Sequence, residues 1–433
     1  MSFIEFQKKL PLKAAIVFPD IFGQKTALSA ESRLEEACGL ALAINLDVVY
    51  KDIIHIRTVK PATLIGQGVI DRLSVEIAAK GIELIIFDTS LSPIQQRNLE
   101  NKLNIKVIDR TALILEIFGE RAQTKEGKLQ VELAHLTYQR SRLVRSWTHL
   151  ERQRGGAGFL GGPGETQIEL DRRIIDDKIL RIKQELEKVK QTRQIQRSAR
   201  KRVPYPVVAF VGYTNAGKST LFNMLSGSNV FAKDLLFATL DPSMRKIKLP
   251  SGKEVILSDT VGFISDLPHE LIMSFRATLE EVLSADLIVH IRDIAAPNTG
   301  EQRKDVLEVL ENLGFKDFAN SKQYIEVLNK TDLLAPEKVQ KLTAKSKTGT
   351  AVISALTGYG KENLLQLIDD KLSNDFAVIN LKIPASDGKK LAWIHANADV
   401  LDSKIMDDII CLKIKISPEN HGKLQNKNFV TFS

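Results

Sequence analysis

The sequence Gly-Tyr-Thr-Asn-Ala-Gly-Lys-Ser at residues 212–219 limits the possible folds of this chain more than any other feature. An apolar run at 206–211 precedes it, and a segment of helical character at 219–225 follows it. Strand, glycine-containing loop and helix in this order are typical of a phosphate-binding loop, whose backbone N–H groups and helix N-terminus face a phosphate. The alternative is a glycine-rich turn without a ligand, and both flanks disfavour it. We therefore predict a nucleotide-binding domain around this loop.

The residue types within the loop predict distinct contacts. Lys218 is expected to reach the β- and γ-phosphates, and the Ser219 hydroxyl is expected to bind Mg²⁺. Asn215 resembles the asparagine of GTPases that recruit K⁺ to the phosphates, and a hydrogen bond that only stabilises the loop is an equal alternative. The loop residues predicted to contact nucleotide are Gly212, Tyr213, Thr214, Asn215, Ala216, Gly217, Lys218, Ser219 and Thr220.

A second motif predicts which base is bound. The apolar run 324–328 ends in Asn-Lys-Thr-Asp at 329–332, and open α/β sheets bind ligands at the carboxyl ends of their strands. Asp332 can accept hydrogen bonds from the N1–H and 2-amino groups of guanine, whereas adenine would leave this carboxylate unpaired, so we predict GTP as the substrate. Lys330 is expected to lie along the base, and Asn329 to tie its loop to the phosphate loop. The short segment expected to meet the guanine oxygen through backbone N–H is Ser354, Ala355 and Leu356.

Two further segments are predicted to sense the γ-phosphate. Asp259 is expected to hold Mg²⁺ through water, and the N–H of Gly262 is expected to meet the γ-phosphate. Thr239 is the candidate for a hydroxyl that closes on Mg²⁺, with an ordinary loop threonine as the alternative. A loop ordered by γ-phosphate and Mg²⁺ and released on hydrolysis is the usual GTPase switch. The residues assigned to nucleotide in these segments are Phe237, Ala238, Thr239, Asp259, Thr260, Val261 and Gly262.

Position 263 departs from the common GTPase pattern. Many GTPases have a glutamine after this glycine to orient the attacking water, but Phe263 cannot hydrogen-bond to water. We therefore expect slow intrinsic hydrolysis unless a partner or a K⁺ ion completes the site. The residues predicted to take part in catalysis are Lys218, Thr239, Gly262 and Asn215.

The charge of the chain is concentrated in one stretch. The 433 residues carry a net charge of +8, and residues 140–202 contain 17 Lys and Arg but only 8 Asp and Glu. A basic stretch beside a nucleotide switch indicates a polyanionic partner such as nucleic acid, and a solvated coiled-coil surface is the alternative. The two cysteines form no metal or disulfide pattern, and no apolar segment is long enough to span a bilayer. We expect a cytoplasmic protein that is a monomer.

The basic stretch also has a helical pattern. Leu129, Leu136, Leu143 and Leu150 are spaced by seven residues, as are Ile168, Ile175, Ile182 and Val189. Two such helices joined by the glycine-rich connector 155–164 predict an antiparallel helical hairpin whose apolar rows form a seam. The connector either approaches another surface closely or is a flexible linker.

The remaining sequence completes an α/β organisation. Before the hairpin, strands are predicted at 14–18, 48–56, 84–87 and 106–108, with helices at 29–44, 68–80 and 93–102, which together indicate a small parallel α/β domain. After the GTPase domain, strand-like runs at 377–383 and 409–416 indicate a small C-terminal α/β unit. The predicted domains are 1–125 (α/β), 126–202 (hairpin), 203–372 (phosphate-loop GTPase) and 373–433 (C-terminal).

Taken together, the chain resembles the HflX-type GTPases. The segments that carry this resemblance most specifically are Ile108–Leu115, Arg121–Thr124, Lys128–Ala134, Arg154–Gly156, Gly162–Glu165 and Asp171–Arg173. The resemblance implies binding to the large ribosomal subunit and its RNA in the GTP state, splitting of stalled ribosomes, and release on hydrolysis. A GTPase of ribosome assembly and a GTP-gated switch that binds a protein partner are the alternatives. A second nucleotide site for ATP in the N-terminal domain has no motif to support it.

Overall fold

The computed structural model describes most of the chain in two compact units. The described residues are 11–24, 28–153, 163–200, 205–227, 236–237, 243–265, 282, 284–312, 314, 323–346, 349–373, 377–406, 409–416, 424 and 430–432. One unit comprises Met1–Ile247 and Val255–Lys361, and the other comprises Lys248–Glu254 and Glu362–Ser433. None of the helices in the described ranges is long and apolar enough to cross a membrane.

The first unit begins with a parallel α/β domain. Its elements are β1 (Lys13–Ile21), α1 (Ala30–Ala43), β2 (Asp47–Ile56), α2 (Gln67–Lys80), β3 (Leu84–Phe87), α3 (Pro93–Leu103), β4 (Lys106–Asp109) and α4 (Arg110–Arg121). The strands are parallel, in the order β2-β1-β3-β4. The four predicted strands and three predicted helices are confirmed. Helix α4 was not predicted, because no turn residue separates it from β4.

Asp109, the last residue of β4, connects three elements. Its carboxylate caps α4 by accepting from the Ala112 N–H (2.9 Å), and it also accepts from the Leu91 N–H. The Tyr138 hydroxyl donates to it over 2.8 Å, and Arg142 forms an ion pair with it. Several donors on one buried carboxylate satisfy its charge. Tyr138 and Arg142 belong to the next element, so Asp109 fixes that element to the domain.

Two long helices follow, α5 (Lys125–Gln153) and α6 (Pro163–Arg200). Two ion pairs, Lys125–Glu185 and Arg140–Asp176, link the helices. From the first pair to the second the residue number rises on α5 and falls on α6, so the helices are antiparallel as predicted. The apolar seam between them contains Leu129, Leu133, Leu136, Ile175, Ile179, Ile182 and Leu186. Four members of the predicted heptad rows, Leu129, Leu136, Ile175 and Ile182, therefore lie in this seam, as expected. Residues 155–162 of the glycine-rich connector and the side chains of Leu150 and Ile168 lie outside the described residues, and the last two connector residues, 163 and 164, begin α6.

The nucleotide-binding region is built on a six-stranded sheet. Its elements are β5 (Val207–Gly212), α7 (Lys218–Ser226), β6 (Ser243–Lys248), β7 (Glu254–Asp259), β8 (Leu287–Asp293), α8 (Thr299–Asn312), β9 (Tyr324–Asn329), α9 (Pro336–Lys345) and β10 (Thr350–Val352). The helix that follows, α10 (Lys361–Ser373), belongs to the second unit from Glu362 onward. The order is β10-β9-β8-β5-β7-β6. Strand β5 lies parallel to β7 and β8, and β9 lies parallel to β8 and β10. The carboxyl ends of these parallel strands consequently meet at one edge, where the predicted motifs lie.

The N-terminal domain and the nucleotide-binding region share one hydrophobic core. A single cluster joins residues of α1 and α4 to Val211, Phe237 and Phe263. Phe118 of α4 meets Phe237 edge to face, with ring centroids 4.8 Å apart. A Cβ atom on Gly39 of α1 would lie 3.0 Å from Leu236 Cδ1, so α1 also packs closely here. The N-terminal domain thus contacts the segment that leads to Thr239.

The second unit contains a four-stranded antiparallel sheet. Its elements are β11 (Ala377–Pro384), α11 (Gly388–Asn397), β12 (Ala398–Met406), β13 (Ile409–Ile416) and β14 (Val430–Phe432), and the strand order is β12-β13-β11-β14. Its core includes Leu381, Ile394, Leu412 and Ile414. The two predicted strands are confirmed. Strand β12 was not predicted, because Asp399, Asp402 and Lys404 interrupt its apolar pattern.

Candidate nucleotide site

The phosphate loop contains two positions that only glycine can occupy. Gly212 has φ +154° and Gly217 has φ +92°. A Cβ atom on Gly212 would lie 2.2 Å from the Ile291 carbonyl oxygen, and one on Gly217 would lie 2.2 Å from Asn329 Nδ2. Glycine is therefore required both by conformation and by close approach of neighbouring strands. The loop follows β5 and leads directly into α7, as the sequence predicted.

Lys218 lies inside the curl of this loop. Its side chain is 6% exposed, and its Nζ donates to the carbonyl oxygens of Gly212 (3.1 Å) and Tyr213 (2.8 Å). Burial lowers the pKa of Lys218 to about 8, while the negative charge of Asp259 acts in the opposite direction. A buried ammonium that is only partly compensated favours an anionic ligand. In the described part of the chain, the buried hydroxyl of Thr214 has no hydrogen-bond partner.

Ser219 and Asp259 bring two oxygen donors together at the start of α7. The Ser219 hydroxyl donates to Asp259 Oδ2 over 2.7 Å. Asp259 ends β7, and its side chain is fully buried. Hydroxyl and carboxylate oxygens are the ligands that Mg²⁺ prefers, so this pair fits such an ion. Thr239, the third residue predicted to bind this ion, lies outside the described residues, as does Ala238, which was predicted to contact the nucleotide.

The segment after Asp259 lies against the phosphate loop. Phe263 donates its N–H to the Gly212 carbonyl (3.1 Å) and accepts from the Thr214 N–H (2.7 Å). A Cβ atom on Gly262 would lie 2.9 Å from both Lys218 Nζ and Thr214 Cα, so a larger residue would disturb the segment. The Phe263 side chain is 3% exposed and packs into the core. It provides no polar group for a water molecule, in agreement with the expectation from its residue type.

The predicted base-recognition residues lie together at the ends of β9 and β10. Asn329 donates to the Ala216 carbonyl (2.9 Å) and accepts from the Ala355 N–H (2.9 Å), so the expected tie between the two loops is present. The exposed Asp332 accepts from the Ser354 hydroxyl over 2.6 Å. Lys330 forms an ion pair with Asp293 over 2.8 Å. The Ala355 N–H therefore orients Asn329, a contact that the sequence analysis did not foresee.

Other predicted residues occupy the surroundings of these contacts. Thr260 donates from its hydroxyl to the Phe210 carbonyl over 2.5 Å and anchors the segment to β5. Asn215 is exposed with φ +58°, beside a cavity of about 350 Å³ between the phosphate loop and α1. Leu356 is 78% exposed. The half-buried Thr220 lies in α7.

A group of polar residues from the N-terminal domain also reaches the site, and sequence reasoning missed it. The Tyr213 hydroxyl of the phosphate loop donates to Glu36 and accepts from the Ser265 N–H (2.8 Å). Burial, and then the charge of Glu36, raise the pKa of Tyr213, so its hydroxyl stays protonated. Arg110 donates to Glu36 and to the Ser265 carbonyl oxygen (3.0 Å). The only available signal was the Asp-Arg-Thr sequence at 109–111, which the family resemblance had emphasised.

Models of protein families match consecutive parts of the chain. The matches are "GTP-binding GTPase N-terminal" at 31–119, "GTP-binding GTPase Middle Region" at 121–200, "50S ribosome-binding GTPase" at 207–330 and "HflX C-terminal domain" at 339–428.

Individual proteins are similar over most of the chain. GTPase HflX of Magnetococcus marinus is 44% identical over 413 residues, covering 95% of this chain and 94% of that protein. GTPase HflX of Escherichia coli K12 is 44% identical over 330 residues, covering 76% of each. A crystal structure of SsGBP with GDP has a TM-score of 0.48 and 24% identity, covering 83% of this chain and 98% of that one. By its sequence the chain belongs to the HflX family of GTPases, and it binds and hydrolyses GTP.

Proposed function

We propose that this protein binds the large ribosomal subunit in its GTP state, separates stalled ribosomes, and leaves after GTP hydrolysis. The observation that carries the proposal is the attachment of a long basic hairpin to the same compact unit as the nucleotide loops. The family model that matches 207–330 describes its members as 50S ribosome-binding GTPases, which supports a ribosomal partner. Membership of the HflX family supports the same assignment.

The nucleotide chemistry follows from residues of the first unit. Asp332 would accept from the guanine edge, and the phosphate-loop N–H groups with Lys218 would hold the phosphates. Ser219 would bind Mg²⁺ directly and Asp259 would do so through water, and this ion would neutralise charge on the β- and γ-phosphates. Thr239 would close on the ion from the segment after Phe237. The Gly262 N–H would contact the γ-phosphate, which distinguishes GTP from GDP.

Hydrolysis on the isolated protein should be slow. The glutamine that orients water in many GTPases is replaced by the buried Phe263, so a partner has to complete the site. Asn215 is exposed beside the phosphate loop and is our candidate for recruiting K⁺ to the phosphates. An enzyme that depends on its partner in this way hydrolyses GTP mainly after docking, so hydrolysis would time release.

The hairpin would provide the contact with ribosomal RNA. On α6, Arg172, Arg173 and Arg181 are exposed to solvent. Exposed arginines bind phosphate through paired donors and release counterions, so their contribution should weaken as salt rises. The basic excess of 140–202 in the sequence supports the same role for the flanking residues.

Co-sedimentation with purified ribosomes tests this proposal. Binding to large subunits with a nonhydrolysable GTP analogue, and loss of whole ribosomes, are expected, whereas GDP and no nucleotide should give little of either. Replacing Arg172, Arg173 and Arg181 by Gln should weaken binding by about tenfold or more at physiological salt. The matched control replaces three exposed lysines of α9, Lys338, Lys341 and Lys345, by Gln and should bind normally. Binding that ignores the nucleotide, or no binding, would overturn the proposal.

A GTP-gated protein partner is a second candidate, because α6 also exposes apolar side chains. Leu170, Ile174 and Leu180 are 55%, 44% and 57% exposed. Exposed apolar side chains that gather into a patch mark protein–protein interaction sites. Ribonuclease treatment of the complex separates the two functions, since a protein-mediated complex survives it and an RNA-mediated complex does not.

A further inference from the structure

Arg110 connects the N-terminal domain to the segment that follows Gly262. It is the first residue of α4, and its side chain points across the domain boundary to Ser265. One nitrogen, Nη2, lies 3.0 Å from the Ser265 carbonyl oxygen and 3.4 Å from its hydroxyl. Arg33 of α1 donates to the same hydroxyl over 3.0 Å. Two arginines of the N-terminal domain therefore hold one serine of the nucleotide-binding region.

The contact is buried and balanced in charge. Arg33 and Arg110 pair with the carboxylates of Asp88 and Glu36, so two positive charges meet two negative charges. Exposure of Arg33, Asp88, Arg110 and Ser265 is 5% or less. Burial acts to lower the pKa of Arg110, but the charges of Asp88 and Glu36 outweigh it and raise the pKa. Buried charges with several hydrogen bonds each hold a single geometry.

The same group of residues also holds the phosphate loop. Glu36 accepts from the Ser265 hydroxyl (3.0 Å) and from the Tyr213 hydroxyl. Tyr213 in turn accepts from the Ser265 N–H over 2.8 Å. Glu36 and Arg110 therefore fix the distance between the phosphate loop and a point three residues after Gly262. Both sides of the space where a γ-phosphate would meet the Gly262 N–H are held by this group.

We propose that Arg110 is a positioning residue for GTP hydrolysis, which fixes Ser265 and thereby holds the Gly262 N–H in place for the γ-phosphate. This rests on the role of Gly262 in the proposed function. Ordering a loop in advance removes an entropic cost from the state that uses it. GDP has no γ-phosphate, so the benefit is confined to GTP. Arg110 would act in this way in the isolated protein, without the ribosome.

The test compares binding of a nonhydrolysable GTP analogue, binding of GDP, and steady-state GTP hydrolysis in the full chain. Ser265→Ala removes one hydroxyl from the group and should weaken binding of the analogue by about five- to tenfold, with a similar loss of kcat. Affinity for GDP should stay within about twofold of the wild-type value, because only the γ-phosphate is affected. Arg110→Gln should lower analogue affinity and kcat further than Ser265→Ala does. Arg110→Lys keeps the charge, so its losses should lie between those of Ser265→Ala and Arg110→Gln.

Two further variants make the result decisive. Ser74→Ala is the matched control, since the Ser74 hydroxyl donates to the Ile70 carbonyl in α2, and it should leave all three quantities unchanged. Gly262→Ala tests the underlying assignment: its Cβ would displace this segment from Lys218 and Thr214, and it should weaken binding of the analogue more than binding of GDP. If Gly262→Ala has no such effect, the proposed role of Gly262 is wrong. If Gly262→Ala has the effect but Arg110→Gln does not, or Arg110→Gln lowers GDP and analogue affinity equally, the role of Arg110 is wrong. An increase in kcat in Ser265→Ala would also overturn it.

Discussion

The two ends of the nucleotide site are stabilised in different ways. At the base end, Asn329, Asp332 and Ser354 are held by each other and by the phosphate loop, all within the nucleotide-binding region. At the γ-phosphate end, Ser265 and Tyr213 are held by Glu36 and Arg110 from the N-terminal domain. Base recognition is thus self-contained, whereas the segment expected to distinguish GTP from GDP depends on a neighbouring domain. Changes at the two ends should therefore have different signatures.

The largest effect is expected for Asp332→Asn at the base end. The amide cannot accept from both guanine donors, so affinity for GTP and GDP should fall by about 100-fold or more. Binding of xanthine nucleotides should improve, because the amide can donate to the 2-oxo group. Isothermal titration with all four nucleotides measures this. The control Asp370→Asn changes an exposed carboxylate of α10 that accepts from Gln366, and it should bind GTP normally.

Asn329→Ala, a change at the base end, should weaken binding of GTP and of GDP to a similar extent. It removes the bonds to the Ala216 carbonyl and the Ala355 N–H, so GTP and GDP affinities should both fall by about 10- to 100-fold. Asn98→Ala, which removes one surface bond to the Ala62 carbonyl, serves as the comparison. A loss confined to GTP would contradict the view that this end is self-contained.

Phe118→Leu should affect the γ-phosphate end. It removes the edge-to-face contact with Phe237, which is worth about 1 kcal/mol beyond the apolar area, and leaves most of the buried volume filled. Affinity for a GTP analogue should fall by about threefold while affinity for GDP changes less. The matched variant is Phe87→Leu in the other core of the N-terminal domain, which should lower stability without changing this ratio. If the ratio of analogue affinity to GDP affinity is the same in the two variants, the contact between α4 and the segment before Thr239 does not affect γ-phosphate binding.

His290→Gln should reduce the acid-pH dependence of stability of the sheet that supports both ends. Burial lowers the pKa of His290 to about 3, and its ring is hydrogen-bonded to the Tyr324 hydroxyl over 2.7 Å. In the unfolded chain the His pKa is about 6.5, so the unfolded chain binds a proton at a higher pH than the folded protein does. The free energy of unfolding therefore falls as pH drops from about 6 towards 3. The His290 contribution to this slope is about 1 kcal/mol per pH unit. Urea unfolding between pH 4.5 and 7.5 should show a shallower pH dependence in the variant, and an unchanged slope would contradict the assignment.

Contiguous motifs could be predicted from the sequence because each one encodes its own local geometry. The phosphate loop, the Asn-Lys-Thr-Asp segment and the heptad rows have fixed spacings, and the corresponding elements are present. The group around Arg110 could not be predicted, because its members are distant in sequence. Arg110 and Ser265 are 155 positions apart, and Tyr213 and Glu36 are 177 apart. A single sequence contains no signal for such pairs, and only the fold of two domains against each other brings them into contact.

At the junction between β4 and α4, the number of residues is as important as their type. Asp109 ends the strand and Arg110 begins the helix with no connecting loop, so two adjacent side chains serve the hairpin and the nucleotide segment respectively. Each residue of an α-helix is rotated by about 100° from the one before it. One inserted residue between them would leave Asp109 bound to Tyr138 but turn Arg110 away from Ser265. Insertions and deletions at this point should therefore be far less tolerated than substitutions on the exposed surface of the same helix.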